Sequence, residues 1–248
     1  MAGSDFETLK RAPAYRIVEE AVRKKILDRE LAPGELLPSE IDLAEQLGVT
    51  RPTVREAFRA LETTGLVERG PRRRMMVTAP SPRIVRDAMH DAIMLHDVSY
   101  RALWELNMAL EPQASALAAS NAEPEVLHAI AANLGSTAEC LSDPDALVEL
   151  DVEFHDLVAR ASGNHALLIA REPLGALLLP AYGTVIRTIG PGERLLEAHT
   201  KIYEALCKGD VEVARDWMAR HIRDFRRGCE LAGLDFDEPV STQLGADE

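Results

Sequence analysis

The sequence predicts a mainly α-helical chain in two parts: three short helices and a β-hairpin, then a longer all-helical region. Three observations predict it. Aromatic residues make up only 4% of the 248, whereas Ala and Leu, both strong helix formers, dominate. Before residue 80, three apolar stripes of helical period precede two short apolar runs around Gly70-Pro71. Beyond it, helical stripes run to about Leu231 with no alternating strand pattern among them.

The elements follow in order. Residues 1–13 are polar, end at Pro13 and read as a flexible arm. From Tyr15 to Arg29, Ile17, Val18, Ala21, Val22 and Ile26 share one helix face, and Pro33-Gly34 stops that helix. Ser39 is a suitable N-cap for a second helix, with Glu40 and Asp42 at its positive end and Gly48 at its close. A third runs from Arg51 or Pro52, a residue tolerated near a helix start, to Thr63, and Gly65 ends it. Leu66-Val67-Glu68 and Met75-Met76-Val77 then pair as strands. Three helices and a hairpin make a winged helix-turn-helix over residues 14–79. Pro and Ser around 80–82 mark a linker. Residues 80–233, punctuated at Ser99, Glu123-Pro124, Asp143-Pro144, Gly163-Asn164, Gly190-Pro191 and Gly209-Asp210, read as an antiparallel helical bundle. Residues 234–248 are expected to be a disordered tail.

Composition narrows the function classes. The net charge of −13 looks wrong for a nucleic-acid binder until it is divided along the chain. Residues 1–80 hold 14 of the 28 Lys+Arg and 13 of the 41 Asp+Glu, a net of +1, and the remainder carries −14. Either two units with different partners or, on charge alone, a solvated acidic surface beside a neutral one would give this split. Cys140, Cys207 and Cys229 are scattered with no CxxC spacing, which argues for a reducing cytoplasm. No apolar run reaches the ~18 residues of a membrane span. The first residues also lack the apolar core of a secretory signal, so a cytoplasmic protein without a membrane partner is expected.

On the third helix Arg51, Thr53, Arg55 and Arg59 are polar, while Val54, Ala57, Phe58 and Leu61 face inward. Arg51 and Arg55 are four apart, so both project from one face near the helix start, the part that enters a major groove. An arginine there clamps guanine O6 and N7 with two hydrogen bonds. Arg69, Arg72, Arg73 and Arg74 surround the Gly-Pro turn of the wing and suit phosphate or minor-groove contact. Double-stranded DNA is therefore the expected partner. One winged helix covers a short half-site, so a homodimer on a near-palindromic operator is expected.

The stretch PGELLPSEIDLAEQLGVTRPTVREAFRALETTGLVERG resembles the winged-helix domain of the GntR transcription regulators. The resemblance implies that Arg51, Thr53 and Arg55 read the operator and that Arg69-Gly70 makes the wing contact. Ile41 stands where several members carry a DNA-contacting arginine. WELNMALEPQASALAA, DVEFHDLVARASGN and EAHTKIYEALCKGDVEVARDWMARHI resemble the FadR-like branch, whose FCD-type effector domain is a helical bundle. Repression is the commoner behaviour of that family, modulated by an organic or sugar acid.

The residues of the second part make their own case for a metal. Asp151 and His155 are spaced i, i+4 on a face with Leu147, Phe154 and Val158. His199 lies on a stripe with Leu195, Ile202 and Leu206, and His221 on one with Ala214, Met218 and Phe225. All four point into apolar surroundings, where an unpaired polar group is costly. His199 and His221 each lie ~15 Å along the helix from the Gly209-Asp210 turn, which sets them level in an antiparallel hairpin. A single buried histidine is ordinarily a satisfied core residue, but three imidazoles and a carboxylate at matching positions suit Zn²⁺ first, with Ni²⁺ or Mn²⁺ as alternatives. By resemblance, many members of the branch bind a metal at these positions.

An open coordination position would accept the carboxylate of an effector. Asn107 occupies the place in E-x-x-x-x-L-E where many members have an arginine, and it can hydrogen-bond a ligand without neutralising it. Arg171 and Arg187 are candidates to supply the charge instead. Pro173, Pro180 and Gly183 imply either a kinked helix that widens a pocket or a plain loop. Two other functions use the same cluster: a metal-dependent hydrolase with a metal-bound water, and a sensor of the metal itself. Four protein ligands leave little room for the hydrolase's chemistry, and no general base stands out beside them.

Overall fold

The computed structural model describes residues 12–241, apart from the side chains of Arg72 and Pro82. Most of the expected arm, the last residues of the expected tail and the Arg72 side chain therefore lie outside the described residues. The chain divides after Ile84 into two compact units, a few residues beyond the boundary expected at 79.

The first unit holds α1 (Ala14–Leu27), α2 (Glu40–Leu47), α3 (Arg51–Thr63), β1 (Val67–Arg69) and β2 (Met75–Val77). The capping residues act as expected. The Ser39 hydroxyl accepts the backbone N–H of Asp42, and Gly48 closes α2 in the left-handed region at φ 63°. Val54, Ala57, Phe58 and Leu61 bury the inner face of α3 against Val22, Ile26, Leu37 and Leu43. Val54, Phe58 and Leu61 each contribute on the order of 1.5–3 kcal/mol of transfer free energy by this burial, and Ala57 less. The two strands pair antiparallel with Val67 opposite Val77 and Arg69 opposite Met75. Residues 34–37 run beside β2, tied by Leu37 N–H to Met75 O at 2.8 Å and Val77 N–H to Glu35 O at 2.9 Å.

The second unit is helical throughout: α4 (Pro82–Leu95, joining it from Val85), α5 (Tyr100–Asn121), α6 (Pro124–Glu139), α7 (Pro144–Ala161), α8 (His165–Ile189), α9 (Gly192–Lys208) and α10 (Val211–Leu231). Asp143, Asn164 and Asp210 cap α7, α8 and α10 through their side chains. Gly209, at φ 67°, turns α9 back into α10, and α10 packs along both α9 and α5. α8 carries Pro173 and Pro180 inside one helix, so that stretch is not a loop. No described helix is long and apolar enough to cross a membrane.

The expectation of disorder from residue 234 is corrected over 234–241. Phe236 and Val240 are buried in the core formed by α5, α8 and α10. Their backbones are anchored too: Phe236 O accepts from Arg101 N–H and Val240 N–H donates to Val98 O, both at 2.9 Å. Arg101 pairs with Asp237, and its guanidinium lies 5.7 Å from the Phe236 ring centroid. Two apolar anchors hold a segment whose polar composition alone reads as unstructured.

Candidate functional site

The first unit presents a groove of about 370 Å³ lined by Arg51, Arg55, Arg59, Arg69 and Arg73, which brings the start of α3 and the wing to one surface. Arg51 and Arg55 are exposed at the start of α3, as their spacing requires. Both are held by one carboxylate, Glu40 at the start of α2, which the sequence marks only as a helix-end residue. Arg51 Nε donates to Glu40 Oε2 at 2.8 Å and Arg55 Nη2 to the same oxygen at 3.0 Å. The bonds from Arg55 and then Arg51 hold the Glu40 carboxyl below its ordinary value. Thr53 is half-buried, with its hydroxyl 2.9 Å from that of Thr50. Ile41, which stands where the resemblance would place an arginine, is 53% exposed and lines the groove.

The wing residues divide. Arg69 is exposed and 3.6 Å from Glu62, and Arg73 is exposed at φ 61°. Arg74 departs from its expected role. Its guanidinium donates to the carbonyls of Leu37, at 2.6 Å and 2.9 Å, and of Leu36, so it braces the wing. Gly70 has a packing reason as well: a Cβ there would meet Leu36 at 3.0 Å and Met76 at 3.1 Å.

In the second unit, α7, α9 and α10 bring Asp151, His155, His199 and His221 together, with one ligand atom of each within 4.8 Å of the others. Nε2 of His221 lies 3.1 Å from Nε2 of His155 and 3.2 Å from Nε2 of His199. Asp151 Oδ1 is 3.4 Å from Nε2 of His199 and 3.8 Å from Nε2 of His221. Ligands ~2.0–2.1 Å from one tetrahedral Zn²⁺ stand ~3.4 Å apart, so the spacing fits a common ion. Asp151 Oδ1 is buried with no hydrogen-bond donor among the described residues, as fits an atom whose natural partner is a cation.

The electrostatics point the same way. Burial pushes the Asp151 carboxyl up, but the His199 imidazole and the other two histidines beside it outweigh that and hold it below the usual range. Burial lowers His199, against the pull of Asp151. Burial and the two other histidines push His221 down to about 3. Neutral His199 and His221 beside an ionised Asp151 are protonation states that suit a metal-ligand set. The His199 ring is also fixed by stacking on Phe154, centroids 3.6 Å apart.

A cavity of about 690 Å³ opens beside the cluster, with Asp151 and His221 in its lining. Tyr182, Val185, Ile186, Ile189 and Phe225 give it apolar walls, and exposed Arg194 and Arg227 line it as well. None of the three residues expected to contact an effector lines it. Asn107 is buried, and its Nδ2 donates to the hydroxyl of Tyr182, a lining residue, at 3.4 Å. Arg171 is buried and paired with Glu111 and Asp156. Arg187 is exposed and paired with Asp145. The sequence carried a signal for Glu111, which follows Leu103 and Asn107 at four-residue spacing on one face of α5, and none for its pairing with His155 on α7 and Arg171 on α8.

A winged helix with arginines gathered along its reading helix, in one chain with a helical bundle built around a cavity, defines a DNA-binding transcription regulator with a small-molecule-binding domain. Comparison with known proteins narrows the class. Residues 14–77 match the gntR family of bacterial regulatory proteins, and residues 102–224 match the FCD domain. The chain is 30% identical to the HTH-type transcriptional repressor NanR of Cronobacter sakazakii over 86% of this chain and 84% of that one. It is 29% identical to YcbG of Bacillus subtilis, an uncharacterized HTH-type transcriptional regulator, over 92% and 95%. A GntR structure from Streptococcus agalactiae superposes with a TM-score of 0.65 at 28% identity, covering 86% of this chain and 99% of that one. The chain belongs to the GntR family, in its FadR-like branch with an FCD effector domain.

Proposed function

We propose that this regulator is a cytoplasmic homodimeric repressor, released from a near-palindromic operator by a small carboxylate bound over a divalent ion. Asp151, His155, His199 and His221 would hold the ion, Zn²⁺ first by donor chemistry, with Ni²⁺ and Mn²⁺ also compatible. The observation that carries the reading is the convergence of three Nε2 atoms and one carboxylate oxygen beside the cavity. The ion would supply an acceptor position for an effector carboxylate. The chain's own residues would do the rest: Tyr182 and Phe225 exclude water from the effector's body, and Arg227 attracts its charge, joined by Arg194 where the effector displaces Asp224 from it. Arg51, Thr53 and Arg55 would read bases, with Arg69, Gly70, Arg72 and Arg73 against the backbone. The naming of a relative as a repressor favours this reading over metal-dependent hydrolysis.

The test is a fluorescence-anisotropy titration of operator DNA, obtained by selection in vitro, against metal-loaded protein with a panel of small organic and sugar acids. At least one acid should weaken operator binding tenfold or more. If no acid acts and the free ion alone changes operator affinity, the protein is a sensor of the metal. If neither acts, the effector reading fails.

A further inference from the structure

Of the three histidines in the cluster, His155 alone has its second ring nitrogen facing a carboxylate among the described residues. Nδ1 of His155 lies 3.0 Å from Oε2 of Glu111, and both side chains are only 2% exposed. The two atoms sit off the line of a straight N–H···O bond, yet neither has another partner, so a small rotation of the imidazole satisfies both. His199 differs, because its Nδ1 is buried without an acceptor and its ring is fixed by Phe154.

Glu111 is itself fixed. Its other oxygen, Oε1, accepts Nε of Arg171 at 2.9 Å, and Arg171 reaches on to Asp156, which is partly exposed. The backbone of α8 makes room for this arrangement. A Cβ at Gly175, one turn after Arg171, would stand 3.1 Å from Nη2 of the guanidinium. A glycine inside a helix costs about 1 kcal/mol relative to alanine, and here it lets the arginine fold back along its own helix. An ion pair this deep is a poor source of stability, which leaves its geometry to be explained.

A carboxylate facing an imidazole nitrogen requires a proton on that nitrogen. The other nitrogen, Nε2, then carries the lone pair, and Nε2 of His155 is the atom that joins the cluster. We propose that Glu111, clamped by Arg171, is the positioning residue of the metal centre: it fixes the Nδ1–H tautomer and ring angle of His155 so that Nε2 is the donor. The inference rests on the metal reading above. Removal of such partners of metal-bound histidines typically weakens metal binding by roughly 10- to 100-fold.

The test combines two measurements on the full-length protein. Competition with a chromophoric chelator gives the Zn²⁺ affinity, and long-range 1H–15N correlation on histidine-labelled protein gives the tautomer of His155. The Glu111→Leu/Arg171→Met double variant removes both charges together, and Glu111→Gln keeps an acceptor. The double variant should lose roughly 10- to 100-fold in affinity with a mixed His155 tautomer, and Glu111→Gln should lose less. A folded double variant that binds Zn²⁺ within about twofold of wild type, with His155 still Nδ1–H, overturns the role of Glu111. Should the variants not fold, the metal-free wild type decides: Nδ1–H on His155 supports the inference and Nε2–H overturns it. Wild-type protein that takes up no Zn²⁺ sinks the metal reading itself, a result distinct from either.

Discussion

Glu40 and Glu111 do the same job in opposite surroundings. Each is a carboxylate that holds two groups in place: Arg51 and Arg55 for Glu40, Arg171 and His155 for Glu111. The first set stands in water, with arginines 55% and 45% exposed, and the second is at most 3% exposed. Exposed pairs are screened and rearrange at little cost, so on the proposed function Glu40 would release its arginines to DNA. Buried pairs cannot be opened without stranding a charge, so Glu111 is suited to fix a geometry. The reading head is built to exchange partners, and the cluster is built to keep them.

Breaking the buried pair gives the largest expected effect. Arg171→Ala leaves Glu111 uncompensated and should destabilise the protein by about 3–5 kcal/mol in urea unfolding. The Glu111→Leu/Arg171→Met double variant should recover most of that loss. Acidification comes next, on metal-free protein. The unfolded chain protonates His221 at its ordinary 6.5, whereas the folded chain keeps it neutral down to about 3. Its contribution is therefore complete above pH 6.5 and is lost as pH falls toward 3, at up to about 1.4 kcal/mol per pH unit. The lowered Asp151 carboxyl adds to the loss at the acid end of that window. Thermal melts across pH 4–7 would show a falling Tm, and a flat profile would contradict the buried neutral assignment.

On the exposed side the effects shift from stability to recognition. Arg55→Ala should leave the melting temperature nearly unchanged and relax discrimination at one operator base by roughly 10- to 100-fold, read by competition anisotropy. Glu40→Gln should be the mildest, changing stability by no more than about 1 kcal/mol. A stability loss from Glu40→Gln as large as that from Arg171→Ala would erase the contrast between the two regions.

The parts of this molecule legible in the sequence are those that depend on period and turn. Asp151 and His155 follow from i, i+4 spacing, and His199 and His221 from the register set by Gly209-Asp210. Ser39, Gly48 and Arg51 likewise mark helix ends by local chemistry alone. What failed was pairing across the chain. Arg171 looked free for an effector because its partner Glu111 is 60 residues away in sequence. Arg74 looked like a wing contact because nothing local reveals the carbonyls of Leu36 and Leu37 behind it. Residues 234–241 looked unstructured because Asp237 finds Arg101 only once α5 and α10 are packed. Long-range ion pairs leave no periodic trace, so such residues are misread toward function or disorder.

The role of the second unit turns on whether Asp151, His155, His199 and His221 hold a metal ion. Elemental analysis tests it most directly, on protein purified without chelator or metal-affinity tag, beside a His199→Ala/His221→Ala double variant. About one divalent ion per chain is expected in the wild type and none in the variant. Wild-type protein that stays metal-free after incubation with zinc, nickel or manganese would contradict it.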